Sequence, residues 1–112
     1  MRRFDSLGEF EQAVLLAIAH LDDDAYGVTI RREIESRTRR AIAVGALYTG
    51  LDRLERKGYV TSTMSAPTPQ RGGRAKRHFK ITTAGSGALR QSREFITKMW
   101  AGLELEPRRS RS

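Results

Sequence analysis

The feature that most constrains the fold is a switch in hydrophobic spacing just after Gly58. Before this glycine, apolar residues recur every three or four positions, which is typical of amphipathic helices. After it, residues 59–64 are rich in β-branched side chains and alternate in character, which predicts a strand. Helical spacing returns at about residue 83. The chain is therefore expected to combine several helices with one short β-hairpin.

Three helices are predicted before the switch, over about residues 7–21, 25–38 and 44–57. Gly58 is a fitting C-terminal stop for the third. Gly50 lowers the helix propensity there by about 1 kcal/mol relative to alanine, which is compatible with close approach to a neighbour. The apolar stripes consist of Leu7, Phe10, Val14, Ala17, Ile18 and Leu21, then Tyr26, Ile30 and Ile34, then Val44, Leu47, Leu51 and Leu54.

The connections between these helices are short. Asp22-Asp23-Asp24 predicts a turn and an N-cap for the second helix, because no further ligands for a carboxylate metal site are evident. Ala41-Ile42-Ala43 is compatible with a very short strand. No separate domain linker or internal repeat interrupts the pattern.

The hairpin is predicted from strands over residues 59–64 and 76–81 around a loop that contains Pro67, Pro69, Gly72 and Gly73. In the second strand Phe79 and Ile81 point to one side, whereas Lys76, His78 and Lys80 point to the other. Arg77 shares the parity of Phe79 and is therefore expected to lie partly along the core.

A fourth helix is predicted over about residues 83–103, capped by Thr82 or Thr83. Leu89, Ile96, Met99, Trp100 and Leu103 form its apolar stripe, which Phe95 widens. Trp100 is compatible with a packing role between two subunits or with a stacking wall for a planar ligand.

Charge is distributed unevenly within a net charge of +8. Residues 1–55 hold eight basic and ten acidic side chains, whereas Arg56 to Arg93 contains nine basic side chains and no acidic one. Such a stretch suits a polyanion, because each neutralised phosphate releases a condensed counterion. A solvated basic surface and an RNA- or membrane-binding surface remain alternatives at this stage.

Several classes of site and location are not expected. The chain has no cysteine, so disulfides and thiolate metal sites are excluded. No apolar run reaches the roughly 18 residues of a membrane span, and the N-terminus is unlike a secretory signal. His20 and His78 have no partners that indicate a triad or metal site. We expect a cytoplasmic protein with no enzymatic activity, metal or cofactor.

The order helix, helix, helix, hairpin, helix is the layout of a winged helix-turn-helix module. The first three helices and the inner face of the hairpin bury their apolar stripes together. The exposed face of the third helix is then free to enter a DNA major groove, roughly 12 Å wide. The hairpin lies beside it as a wing, whose basic tip can reach flanking phosphates or a minor groove.

Short motifs in the same order resemble the PadR family of transcriptional regulators. They are Leu7-Gly8-Glu9-Phe10-Glu11, Asp24-Ala25-Tyr26-Gly27, Gly45-Ala46-Leu47-Tyr48, Leu51-Asp52-Arg53-Leu54-Glu55-Arg56-Lys57-Gly58, Gly72-Gly73-Arg74-Ala75-Lys76-Arg77-His78-Phe79 and Ile81-Thr82-Thr83-Ala84-Gly85. The resemblance covers about residues 7–103. Gly50 departs from it, because many relatives have a bulkier residue there.

The resemblance implies a homodimeric repressor of palindromic operators, in which the C-terminal helix packs against the partner subunit and its N-terminal helix. In some members a small aromatic or hydrophobic effector releases the DNA. We therefore expect a mainly α, α+β fold. Its regions are a winged helix-turn-helix DNA-binding domain over residues 7–82, a dimerisation helix over 83–103 and a basic disordered tail over 104–112.

The candidate DNA-binding residues lie on the third helix and the wing. They are Gly45, Ala46, Tyr48, Thr49, Arg53, Arg71, Arg74, Lys76 and Arg77. Tyr48 is compatible with packing alone, or with a ring that packs while its hydroxyl contacts a phosphate. The candidate residues for the dimer and effector surface are Leu89, Ile96, Met99, Trp100 and Leu103.

Two other functions remain open from the sequence. One is an adaptor or effector-sensing module that works through protein partners, with the charge of the wing incidental. The other is an RNA-binding protein, which shares the charge but does not need two-fold spacing. Comparison of binding to upstream DNA, random duplex and RNA discriminates among them.

Overall fold

The computed structural model describes residues 7–65 and 75–105. The elements, in chain order, are α1 (Glu9–Leu21), a 3₁₀ turn (Asp22–Asp24), α2 (Gly27–Thr38), α3 (Val44–Arg56), β1 (Val60–Met64), β2 (Arg77–Ile81) and α4 (Thr83–Trp100). This order confirms the mainly α, α+β architecture with one hairpin. The basic tail predicted over 104–112 lies outside the described residues from 106 onward.

The core forms where the apolar stripes of α1, α2 and α3 meet the inner face of the hairpin. Phe79 of β2 is only 1% exposed and is among its largest side chains. Burying a side chain of this size stabilises the fold by about 1.5–3 kcal/mol. The other core residues with essentially no exposure are Val14, Leu15, Ile18, Ala25, Ile30, Leu47, Leu51 and Leu54. The predicted stripes of the first three helices therefore pack, with one correction. Val44, predicted at the start of the α3 stripe, is 49% exposed, because the buried residues of this helix begin only at Leu47.

The start of α2 differs from the prediction in its capping residue. Asp22–Asp24 forms the expected turn, but the N-cap of α2 is Tyr26, and no aspartate of the triplet caps this helix. The Tyr26 backbone N–H donates to Thr29 Oγ1 over 3.0 Å. Thr29 stands at the third helical position, where its hydroxyl can satisfy the backbone at the helix start.

The connection from α2 to α3 is not a strand, which corrects the alternative considered for residues 41–43. The backbone turns at Arg39, which adopts a left-handed conformation with φ of 60°. The Ile42 backbone N–H then donates to the Glu35 carboxylate over 2.7 Å. Since a side chain of α2 takes up this donor, residues 39–43 form an irregular connection anchored to the helix before it.

The hairpin is antiparallel, with Val60 opposite Ile81 and Ser62 opposite Phe79. Its second strand is also tied to the segment before α2, because the Phe79 backbone N–H donates to the Ala25 carbonyl over 2.8 Å. An isolated bridge joins Tyr26 to His78. The hairpin is therefore fixed to the helical part of the fold at its base.

α4 begins at the predicted cap and changes surroundings along its length. Thr82 Oγ1 accepts a hydrogen bond from the Gly85 backbone N–H over 3.0 Å. Gly85 lies against the backbone of Tyr59, where a Cβ atom would come within 2.2 Å of the carbonyl oxygen. The first half of α4 thus packs closely on the hairpin. The helix ends at Trp100, three residues before the predicted end, and Gly102 follows with φ of 85°.

Within residues 7–65 and 75–105, no helix has both the length and the apolar character needed to cross a membrane.

Candidate nucleic-acid interface

The exposed face of α3 carries the five predicted DNA-binding residues of that helix. Leu47, Leu51 and Leu54 point into the core and define the opposite face. All five candidates are exposed: Gly45, Ala46, Tyr48, Thr49 and Arg53. The structure therefore brings them together on one accessible helical surface.

Tyr48 packs against the start of α2 and remains 42% exposed. The hydroxyl end of its side chain lies against Gly27, where an added Cβ would come within 2.1 Å of the Tyr48 hydroxyl oxygen. Gly27 is thus small enough to let the tyrosine lie close to the helix start. The side chain is therefore both packed and partly exposed, which is compatible with either of the two sequence interpretations.

Gly50 faces the aromatic ring of Phe10 in α1. A Cβ at this position would come within 3.1 Å of Phe10 Cε2, which is tighter than an ordinary van der Waals contact. The neighbour that the sequence left unidentified is therefore Phe10. The missing side chain at Gly50 lets α3 approach α1 closely.

Glu35 of α2 anchors the connection to α3 and so helps to position the exposed face of α3. The Ile42 backbone N–H and the Arg31 guanidinium, 3.3 Å away, hold the pKa of this carboxyl below its ordinary value. A carboxylate that accepts both donors ties the start of α3 to α2. A shallow groove of about 250 Å³ lies alongside, between Val28 and Arg32 of α2 and Val44 and Tyr48 of α3.

Lys76 lies at the loop end of β2, next to the start of α2. Its ammonium nitrogen is 4.3 Å from the centre of the Tyr26 ring and 3.3 Å from the Tyr26 hydroxyl oxygen. The His78 ring contacts the same tyrosine edge-on, with centroids 5.3 Å apart. The sequence indicated only a packing role for Tyr26. Its link to the wing depends on a contact across 50 residues.

Arg77 points toward α3 and not away from the protein. Its Nε atom donates to Ser62 Oγ over 3.1 Å, and its two terminal nitrogens pair with Asp52 and Glu55. The guanidinium carbon lies 5.0 Å from the centre of the Phe79 ring. Arg77 thus lies partly along the core, as its parity predicted. Its donors are directed at protein acceptors.

Two further candidates of the wing, Arg71 and Arg74, lie outside the described residues.

The candidates on α4 divide into two groups. Leu89 is partly buried and packs against the core of its own chain. The others are about half exposed or more, from Ile96 and Trp100 to Met99, which is 64% exposed. Leu103 follows the helix and is likewise exposed. The exposed apolar surface of α4 therefore lies in the C-terminal part of this helix and just beyond it.

Within the described ranges, no three His, Cys, Asp or Glu side chains lie close enough together to bind a metal ion. The described residues instead provide a binding surface. It consists of the exposed face of α3, Lys76 at the loop end of β2, and an apolar patch at the C-terminal end of α4.

Comparison with known proteins agrees with this arrangement. The model of the transcriptional regulator PadR-like family matches residues 15–91. No protein of curated function matches the chain in sequence.

Solved structures share the fold. A PadR-like transcription factor from Bacteroides fragilis is 20% identical, with a TM-score of 0.68 over 80% of this chain and 82% of its own. A PadR family transcription regulator from Clostridium difficile is 24% identical, with a TM-score of 0.63 over 81% of this chain and 94% of its own. RosR from H. salinarum is 22% identical, with a TM-score of 0.65 over 88% and 81%.

Proposed function

Because this chain belongs to the PadR-like family of transcriptional regulators, we propose that it is a repressor that binds a palindromic operator as a homodimer. The family consists of DNA-binding regulators and not of enzymes. The observation that carries the proposal is the exposed face of α3 together with the exposed cation of Lys76 on the hairpin, in a chain whose family consists of DNA-binding regulators.

In this proposal α3 enters the major groove. Thr49 and Arg53 face base edges, and the small side chains of Gly45 and Ala46 allow close approach. The Tyr48 hydroxyl contacts a phosphate while its ring stays packed on α2. Such phosphate contacts fix the register of the protein on the duplex but carry no sequence information themselves.

The wing supplies the flanking contacts. Lys76 is exposed, and its position beside Tyr26 supports a role in binding a backbone phosphate near the start of α2. Arg71 and Arg74 lie in the sequence between β1 and β2, outside the described residues, and we propose that they reach the neighbouring minor groove, where an arginine is favoured by the negative potential.

The dimer places two such surfaces on one duplex. Ile96, Met99, Trp100 and Leu103 supply the apolar side chains, and Leu16 offers a further exposed leucine on α1. We propose that this distal part of α4 packs on α4 and α1 of a second copy. The two recognition helices then lie about 34–36 Å apart, one turn of DNA, and read the two halves of a palindrome.

The same interface is our candidate for effector control. Trp100 is the only tryptophan of the chain and is half exposed among apolar neighbours. A planar apolar compound that stacks on it between two subunits would change their separation and shift the population of the DNA-competent form. Quenching of Trp100 fluorescence by a panel of aromatic compounds tests this. Absence of quenching at millimolar concentration leaves Trp100 with a structural role only.

The decisive experiment is selection from a library of random duplexes, followed by measurement of Kd against random duplex and RNA. We expect one palindromic site to be enriched and bound at least about 10³-fold more tightly than random duplex. Equal affinity for the selected duplex, random duplex and RNA would overturn the proposed function.

Single substitutions then test the assigned contacts. Arg53→Ala is expected to weaken binding of the selected duplex by about 1–3 kcal/mol and to relax preference at one base pair. Lys76→Ala is expected to weaken binding to every duplex and to lower the salt slope by about 1. Arg90→Ala, which removes an exposed cation of α4, is the matched control and should change neither quantity.

A further inference from the structure

Arg77 joins three elements through a closed set of polar contacts. Asp52 and Glu55 come from α3, Ser62 from β1 and Arg77 from β2. Arg77 binds all three, and the Ser62 hydroxyl donates in turn to Glu55 over 2.8 Å. We call these four residues the Arg77 network. A planar guanidinium has five donors in a rigid fork, so it can serve several acceptors at once.

The network has a geometric consequence for the wing. The neighbouring Lys76 lies at the point where β2 meets the hairpin loop, and its carbonyl accepts from the Ser65 backbone N–H over 2.8 Å. The hydrogen bond from Phe79 to Ala25 anchors the same strand to the segment before α2. With Arg77 bound to α3, β2 is tied both to α3 and to the segment that leads into α2. These contacts set the angle between β2 and α3.

The network also has an electrostatic consequence. Asp52 follows Thr49 on the exposed side of α3, and Glu55 is partly exposed one turn further on. Two carboxylates at this position would repel the phosphates of a duplex bound along α3. The Arg77 guanidinium pairs with both carboxylates and offsets one of their two negative charges from within the protein. Arg77 is therefore already engaged before any DNA is bound.

We infer that Arg77 is a positioning residue that couples the wing to α3 and offsets one of the two negative charges of Asp52 and Glu55, and that it does not contact phosphate directly. This inference rests on the proposed function. It replaces the direct role that the sequence pattern indicated for Arg77, and it leaves Lys76 as the phosphate-binding residue at the loop end of β2.

A double-mutant design separates the two roles. The duplex is the one that the unmodified protein selects from a random library. Arg77→Gln alone is expected to weaken its binding about tenfold. In a protein that already carries Asp52→Asn and Glu55→Gln, the same substitution should cost less than about twofold, because its partners are gone. A full tenfold loss in both backgrounds would overturn the inference, since a phosphate contact does not depend on those carboxylates.

Duplex length provides a readout that a purely structural defect would not move. Trimming the base pairs that flank the selected site removes the contacts of a correctly placed wing. We expect trimming to weaken the unmodified protein but to change the Arg77→Gln variant much less. If trimming weakens both equally, the wing is still in place and the inference fails.

Two further variants serve as controls for this experiment. Lys80→Gln removes a cation from the same strand, where it pairs with Asp23 over 3.3 Å, and should leave the effect of trimming unchanged. Arg77→Lys keeps the charge but loses the fork. The inference predicts weaker binding for this variant, whereas a simple phosphate contact predicts that binding is retained.

The two proposals fail in different ways. If no duplex is selected, the proposed function fails. The network is then tested on the free protein, where Arg77→Gln should speed hydrogen exchange of the β1 and β2 backbone amides. If a duplex is selected but these exchange rates are unchanged, the coupling by Arg77 is refuted while the proposed function stands.

Discussion

The first three helices and the distal end of α4 carry similar apolar stripes but opposite burial. Leu51 and Leu54 of α3 are fully buried in the core of their own chain, whereas Trp100 is 50% exposed. Helical spacing therefore identifies which side of a helix is apolar, but it does not identify the surface that covers it. The first region is covered within its own chain, and the second is left exposed there, which is why we propose that it packs on a second copy.

The change occurs within α4 itself. Gly85, Ala88 and Ser92 are its buried residues, and all three are small enough for close packing on the rest of the chain. Apart from Leu89, which packs on the core of its own chain, the large apolar side chains of α4 begin at Phe95 and are exposed. The helix thus changes along its length from a packed face to an exposed apolar face.

The largest effect that tests this contrast is expected in the core. Leu51→Ala should lower the free energy of unfolding by about 3 kcal/mol, because it removes buried methyl groups and leaves a cavity. Urea denaturation measures it. Leu105→Ala, at a position that is 68% exposed, should change stability by less than about 0.5 kcal/mol. Similar losses for both variants would erase the distinction between the regions.

A smaller effect is expected at the end of α4, and in a different quantity. Trp100→Ala should weaken self-association by about 2 kcal/mol, roughly 30-fold in Kd, because large aromatic residues dominate such interfaces. Sedimentation equilibrium measures this. The control is Val28→Ala, since Val28 has nearly the same exposure, 49%. Unchanged association of the Trp100 variant would show that another surface covers this patch or that none does.

The smallest effect concerns a polar group inside the first region. Glu11 is nearly buried, and its carboxylate accepts from the Gly8 backbone N–H over 3.1 Å and from Lys57 Nζ over 2.9 Å. Burial alone would raise the pKa of this carboxyl, but the hydrogen bonds and the positive charge of Lys57 outweigh it and leave the pKa below 4.5. Glu11→Gln should therefore cost about 1 kcal/mol at pH 7.

This cost should depend on pH in a defined direction. A lowered pKa in the folded state means that ionised Glu11 stabilises the protein above its unfolded pKa of about 4.5. The contribution is lost as the pH falls through the lower, folded value. Denaturation of both proteins between pH 3 and pH 7 measures the difference, which should shrink toward acid. A constant difference would remove the Lys57 pair as its cause.

Local patterns predicted the elements well. Helical spacing located all four helices, Gly58 marked the end of α3, and Thr82 marked the start of α4. Each of these signals acts over a few residues, so it can be read without knowing the fold. The N-cap of α2 was predicted wrongly, because the acidic triplet suggested an aspartate whereas the cap is Tyr26.

The site was less predictable because its contacts are distant in sequence. The exposed face of α3 followed from the position of its leucines. The partners of Arg77 did not, because Glu55 is 22 residues away and belongs to another element. The alternation of residues along β2 predicted that Arg77 lies on the same side as Phe79, but it could not identify the groups that accept hydrogen bonds from Arg77. The reason for a glycine at position 50 likewise became clear only from the structure, which places Phe10 beside it.

The contact between Gly27 and Tyr48 has an evolutionary consequence. The hydroxyl end of the tyrosine occupies the space that a side chain at position 27 would need, so a larger residue 27 must displace it. We expect a mutation that enlarges residue 27 to be favoured in lineages where residue 48 has become smaller. Within related sequences, we therefore expect size at these two positions to be inherited as a pair.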